Sequence, residues 1–327
     1  MRIGIGFTPF ETRADAIVRL ATLADDLGLE RVDVAEGWTH DATILVAELA
    51  QRTSRIELGT SVLSVWGRTP ASLALTAAGL QRLSGGRFTL GLGASSPPLA
   101  EGFHGVPWDR PLARLRKTLT GVRALLEGDR LPAPAGGARA LRLGVAPDTP
   151  VPIALAALSE GSIRLAGELA DVWTPFLWAR SRIDDGKALL HEGRADTATR
   201  ASVGVPVALA KDEDSARALA AFWLKAYLTR MGPLYPRMLA GRFGMSAGVD
   251  AIVAADDAAG LPAAAEELAN EVTLMGTYAD TGDAIAEWID AGADDVTLVL
   301  PPGVPEADLY QVVFAAACVA SKAGAVS

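Results

Sequence analysis

Eight short runs rich in Val, Ile and Leu recur along this chain, separated by longer stretches with apolar residues at three- and four-residue spacing. The runs are Ile3 to Phe7, Arg31 to Ala35, Ile56 to Val62, Phe88 to Leu92, Pro152 to Ala157, Val172 to Thr174, Val203 to Leu209 and Asp295 to Leu300. Short apolar runs suit strands covered on both faces, and the intervening pattern suits amphipathic helices, so the chain reads as repeated βα units around a parallel sheet. The predicted helices run from Thr12 to Leu27, Ala42 to Arg52, Pro70 to Leu83, Ser159 to Leu169, Ser181 to His191, Asp212 to Met231, Asp283 to Ala291, and from beyond Pro305 to Ala320. Eight strands each followed by a helix close most naturally into an α/β fold of the (β/α)8 TIM-barrel kind, because a doubly wound sheet uses fewer strands. Residues 1–327, with 50% hydrophobic residues to fill a large core, then form a single domain. Two segments exceed what a crossover needs and read as insertions after the fourth and seventh strands: 94–150, with Pro97-Pro98 and a loose stretch from Pro132 to Gly137, and 232–280. Long ordered insertions at one barrel end usually cover a site.

Composition excludes several classes of function. With 30 basic and 39 acidic residues the formal charge is -9, so the surface repels phosphate backbones and no nucleic-acid partner is expected. An anionic cofactor is still compatible, because helix N-termini make local positive sites that net charge does not register. The single cysteine, Cys318, precludes an intramolecular disulfide. His40, His104 and His191 have no metal-ligand spacing, so no metal is predicted. The run from Met1 to Phe7 is too short for a signal peptide and no long uncharged apolar stretch occurs, which points to a cytoplasmic protein without a membrane partner.

Two glycine motifs lie at strand ends. Gly4-Ile-Gly-Phe-Thr-Pro9 and Gly91-Leu-Gly-Ala-Ser-Ser96 begin like dinucleotide fingerprints, but Pro9 and Ser96 stand where the last glycine belongs. The second ends the fourth strand, where glycines either let a flat ligand lie against backbone or serve tight barrel packing. Around it fall Leu58-Gly-Thr-Ser-Val-Leu63, Arg68-Thr-Pro70, Leu83-Ser-Gly-Gly-Arg-Phe88, Leu90-Gly-Leu-Gly-Ala-Ser-Ser-Pro97 and Glu101-Gly-Phe-His-Gly105. Ala35-Glu-Gly-Trp38 with Asp41-Ala42, Val151-Pro-Ile-Ala-Leu-Ala-Ala157 and Leu165-Ala-Gly-Glu-Leu-Ala-Asp171 flank them. Taken in order, these segments resemble the luciferase-like monooxygenase superfamily, in its coenzyme F420-dependent oxidoreductase branch. The resemblance covers nearly the whole chain and is weakest from Gly232 to Asn270.

The resemblance implies an enzyme that moves a hydride between coenzyme F420 and a small organic substrate, as a reductase of C=C or C=N bonds or an alcohol dehydrogenase. It also implies a barrel mouth that holds the tricyclic ring, a non-prolyl cis peptide at Ser61-Val62, and a homodimer. Candidate cofactor contacts are Glu36, Ser61, Val62, Gly93, Ala94, Ser95, Ser96, Ala157, Leu158, Ser159, Gly161 and Ser162, the last four at the helix start expected to take the phosphate. Glu160 departs from the Gly-Pro common there and reads as a first-turn helix acid pointing outward. Glu36 and His40 are the catalytic candidates; burial among Trp38 and apolar neighbours would favour protonated Glu36, which suits a proton donor or, equally, a hydrogen-bonding contact to the ring. Gly37 and Ser96 stand where sugar-phosphate dehydrogenase relatives keep acid-base groups, which argues against that substrate class. Trp38, Trp66, Phe176 and Trp178 are expected to wall the substrate pocket, with Arg68 and Arg180 available to an anionic group. An FMN-dependent two-component monooxygenase of the same superfamily and a non-catalytic flavin-binding protein are the competing readings.

Overall fold

The computed structural model describes residues 2–132, 137–256 and 260–324; residues 133–136 of the loose Pro132 to Gly137 stretch lie outside the described residues. Its strands are β1 (Arg2–Phe7), β2 (Arg31–Val34), β3 (Glu57–Thr60), β4 (Leu63–Ser64), β5 (Phe88–Gly93), β6 (Ile153–Ala156), β7 (Val172–Trp173), β8 (Arg200–Ala210), β9 (Leu274–Thr277) and β10 (Asp295–Val299). The order β10-β1-β2-β3-β5-β6-β7-β8 closes on itself through β10 and β8, and every pairing is parallel. β4 resumes β3 beyond Ser61-Val62 and pairs with β5. The eight expected strands are therefore the staves of a (β/α)8 barrel. β9 was not expected: it arises from the second insertion and pairs with Val207–Ala210, where β8 has run past its partner β10.

Alternation along the strands separates two environments. Ile3, Ile5 and Phe7, with Val32, Val34, Leu58, Leu90, Leu92, Val203, Val205, Val296 and Leu298, are buried against the surrounding helices. Gly4, Gly6 and Gly59 face inward, and the room they leave holds a buried ion pair. Arg31 grips Asp33 through Nε (2.6 Å) and Nη2 (2.9 Å). A Cβ on Gly59 would fall 2.1 Å from Asp33 Oδ1, and one on Gly4 2.6 Å from the Arg31 carbonyl oxygen. Burial opposes the Arg31 charge, but Asp33, with Glu57 and Asp295 beyond it, outweighs burial and holds the guanidinium above its usual range. Below this pair, Arg2 bonds Asp295 and Glu57, and Arg200 bonds Asp295, so ion pairs fill the N-terminal end of the barrel.

Local signals fix the helix starts. Asp41 accepts the Thr43 amide to cap Ala42–Arg52, and Thr69 with Ser72 forms a capping box ahead of Pro70–Leu83, with Pro70 in the first helical position. The segment 94–150 is only partly an insertion. Its helix Pro111–Leu126 packs between Pro70–Leu83 and Glu160–Leu169 and is the barrel's own crossover helix after β5. The segment 232–280 contributes a turn at Leu234–Pro236, a wide turn at Arg237–Arg242, and helices Ser246–Ala254 and Glu266–Val272. No helix among the described residues is long and apolar enough to cross a membrane.

Candidate active site

At the C-terminal ends of the strands, where a βα barrel places its chemistry, a cavity of about 480 Å³ opens. Gly6, Asp33, Gly204 and Thr297 of the strands form its floor. One wall is Ser61-Val62 with Gly93 to Pro97. The Ser61-Val62 peptide is cis, and a Cβ on Gly93 would lie 2.6 Å from Val62 Cγ2, so glycine is what lets this strand end meet the bulge. Ser95 takes a positive φ of 63°, turning the chain away from the strand.

A second wall comes from Leu158, Ser159 and Ser162, facing Leu112 and Leu115 of the crossover helix. Ser159 caps Glu160–Leu169 by accepting the Ser162 amide, while the Ser162 hydroxyl donates to the Ser159 carbonyl at 2.8 Å. The amides of Glu160 and Gly161 lie in the first turn, which has no intrahelical acceptor for them. Glu160 is exposed and pairs along the helix with Arg164, so its charge is engaged away from the cavity.

Glu36 reaches the cavity from the loop after β2, and its carboxylate is taken by Arg68, at 2.7 Å from Nη2 and 3.4 Å from Nε. Arg68 also lies 3.1 Å from Asp41. Burial works against the Arg68 charge, yet the bonds to Glu36 and Asp41 prevail and raise the guanidinium above its ordinary value. The site presents Glu36 as a hydrogen-bond acceptor paired with a cation. Arg68 is in turn committed to carboxylates of its own chain, and Arg180 to Glu287.

Of the other predicted site residues, Ser61, Val62, Gly93, Ala94, Ser95, Ser96, Leu158, Ser159, Ser162 and Phe176 line the cavity. Ala157 and Gly161 stand behind its surface: the Ala157 carbonyl accepts Trp173 Nε1 at 2.8 Å, and Gly161 abuts Leu112. His40 does not reach it, its Nε2 lying 3.2 Å from the Thr12 carbonyl. The tryptophans depart from expectation. Trp38 is 46% exposed and sits edge-on to Phe10. Trp66 is buried behind the wall, donating to the Ala94 carbonyl at 2.6 Å and stacking on Trp108, which does line the cavity. Trp178, which follows Leu177 at a positive φ of 53°, is fully buried between Trp173 and Phe243 with Arg242 over its ring. His104 lies against Phe103 and Gly67.

Sequence reasoning missed the cavity's far wall, formed by Tyr227 and Met231 at the end of helix Glu213–Arg230 and by Leu234 and Tyr235 just beyond. Ala220, Trp223, Leu224 and Tyr227 form one buried stripe of that helix, so Tyr227 has the signature of core. Asp33 was missed as well, since a strand residue without its partner gives no sign of facing inward.

The sequence profile of the luciferase-like monooxygenase family matches residues 1–295. A Mycobacterium tuberculosis protein whose name assigns it to the coenzyme F420-dependent oxidoreductases is 30% identical over 302 residues, spanning 84% of this chain and 87% of its own. Among solved structures, an F420-dependent secondary alcohol dehydrogenase superposes with a TM-score of 0.75 at 18% identity, covering 98% of each chain. The oxygenating constituent of 3,6-diketocamphane monooxygenase from Pseudomonas putida, in complex with FMN, superposes with a TM-score of 0.72 at 19% identity, covering 96% of each chain.

Proposed function

The chain belongs to the luciferase-like monooxygenase family, and from that membership we propose that it is a coenzyme F420-dependent oxidoreductase, transferring a hydride from the reduced deazaflavin to a C=C or C=N bond of a small organic substrate. The observation that carries this reading is a single cavity that joins a largely apolar slot at the barrel mouth to the start of helix Glu160–Leu169. A ligand with a flat ring and an anionic tail needs that pairing of surfaces. The residues fit such a group: the glycine at position 93 keeps the wall beside Val62 thin, and the first-turn amides at Glu160 and Gly161 are donors without intrahelical acceptors.

When bound, the deazaflavin supplies the hydride. The chain's own residues orient and enclose. Ser61, Val62 and Gly93 to Ser96 would face the ring, and Ser159 and Ser162, with the first-turn amides of the helix they start, would hold the phosphate against the helix dipole. Glu36, fixed by Arg68, would offer a carboxylate oxygen to a ring N–H, and the aromatic far wall would exclude water from the substrate. Kinship with the M. tuberculosis protein supports the deazaflavin over FMN. The test is a fluorescence titration of the purified protein with each oxidised cofactor. Micromolar binding of the deazaflavin with FMN ignored is expected; the opposite selectivity would establish the monooxygenase reading instead.

A further inference from the structure

Hydride transfer to a double bond leaves an electron pair that must take up a proton, and neither carboxylate in the cavity is arranged to supply it. Asp33 is held by Arg31 and Glu36 by Arg68. The remaining charged lining residue, Arg237, is exposed. Two phenols remain. Tyr227 is clamped by Phe10, Phe176 and Trp223, with ring centroids at 5.9, 4.8 and 6.0 Å, and Tyr235 meets it edge-on at 5.2 Å. Both line the cavity, and among the described residues neither hydroxyl has a hydrogen-bond partner and neither is fully enclosed by protein. A hydroxyl held this rigidly and left unpaired beside a ligand site is available to the ligand. Burial pushes both phenols above their ordinary range, so they stay protonated at neutral pH.

We propose that Tyr227 is the catalytic proton donor and that the substrate is a neutral, apolar α,β-unsaturated carbonyl compound. The class follows from the lining. With the inner carboxylates each neutralised by an arginine, the pocket has no inner charge seeking a counterion, and Phe176, Met231, Leu158 and Leu234 give it an apolar surface. In the step, the hydride of the reduced deazaflavin forms a C–H bond at the β-carbon, and the C=C electron pair takes the Tyr227 proton at the α-carbon. The phenolate then regains a proton from solvent. The deazaflavin loses two electrons and the enone becomes the saturated ketone. Protonation of carbon runs downhill even from a phenol raised by burial, because a ketone α-C–H is a far weaker acid. Tyr227 is favoured over Tyr235 because its ring is fixed from four sides.

The inference rests on the proposed cofactor, and its test separates the two. Tyr227→Phe, assayed as holoprotein with reduced deazaflavin and 2-methylcyclohex-2-enone, is expected to lose about 100-fold or more in kcat with KM and deazaflavin affinity within about threefold of wild type. Residual product should lose the single handedness at the α-carbon that the wild type gives, because water then delivers the proton to either face. In the protein without cofactor, an alkaline ultraviolet titration should show one late-ionising tyrosine fewer in the variant. Turnover within fivefold of wild type with handedness retained would overturn the role of Tyr227. A wild type that binds deazaflavin but reduces no cyclic enone would overturn the substrate class alone, and one that binds no deazaflavin would overturn both readings.

Discussion

Glu36 takes two hydrogen bonds from Arg68, and Arg68 reaches on to Asp41, so three charges tie the loops after β2 and β4 at the cavity edge. Removing either partner has unequal consequences. In Glu36→Gln the amide oxygen keeps one bond from Arg68 while the second bond and the charge assistance are lost, a cost of about 1–3 kcal/mol. Arg68→Met leaves a carboxylate with a side chain only 10% exposed and no cation, which should cost more. Denaturant unfolding should rank the variants in that order. With cofactor and an enone, Glu36→Gln should retain more than a tenth of wild-type kcat if, as proposed, Tyr227 and not Glu36 gives the proton; a loss of 100-fold or more would return Glu36 to the proton-donor role. The sequence places Glu36 at the mouth, since it follows a strand end. It does not disclose that Arg68, marked there for an anionic substrate group, is Glu36's own partner, because Arg68 lies 32 residues further on and meets Glu36 only when the barrel closes. Tyr227 was hidden for a different reason: a helix stripe records that a side chain is covered, not whether protein or ligand covers it.

Strand packing gives glycine two opposite meanings that spacing alone does not separate. Gly91 in β5 faces β3 so closely that a Cβ would fall 1.6 Å from the Thr60 carbonyl oxygen, with backbone that cannot swing aside. Gly79, inside helix Pro70–Leu83, has nothing within 4 Å of a built Cβ. Gly91→Ala is therefore expected to destabilise by about 3 kcal/mol or more, at the upper end of overpacking. Gly79→Ala should stabilise by about 0.5–1 kcal/mol through a less free unfolded chain and better helix propensity. Thermal melts of the pair check this, and equal shifts would contradict the packing argument. The Gly91-Leu-Gly-Ala motif is thus at least half structural: Gly91 admits the neighbouring strand and Gly93 admits Val62. Elements were legible wherever one apolar pattern repeated, as in the eight staves. They were less so within 94–150, where Leu115, Leu119, Val122 and Leu125 carry a helical pattern inside what read as an excursion. β9 was invisible because its partner strand continues beyond the barrel only in three dimensions.

Closure of the barrel as a whole depends on carboxylates that work only when ionised. Glu11, in the loop after β1, accepts the Gly303 amide from the loop after β10, while its neighbour Arg13 donates to the Val304 carbonyl, joining the first and last units. Asp25, at the end of helix Ala14–Asp26, accepts the amides of Ser54, Arg55 and Ile56 at 2.8, 2.9 and 2.7 Å and fixes the entry to β3. For both groups burial favours the neutral form, but hydrogen bonding to the charged form prevails, through Arg13 and two amides at Glu11 and three amides at Asp25, and both carboxyls lie below their ordinary range. A depressed folded-state pKa contributes stability that is fully present above the unfolded value, about 3.9 for Asp and 4.3 for Glu, and is lost as pH falls through the folded value. The melting temperature should therefore hold level down to about pH 5 on this account and fall below about pH 4. Asp25→Asn isolates one term: asparagine has a single carbonyl oxygen for three amides and cannot titrate, so the variant should melt well below wild type at pH 7 and approach it as the pH drops below about 4. A deficit that stays constant from pH 7 to pH 3 would mean that Asp25 acts through shape alone, and the acid sensitivity of the closed barrel would then have to come from its other carboxylates.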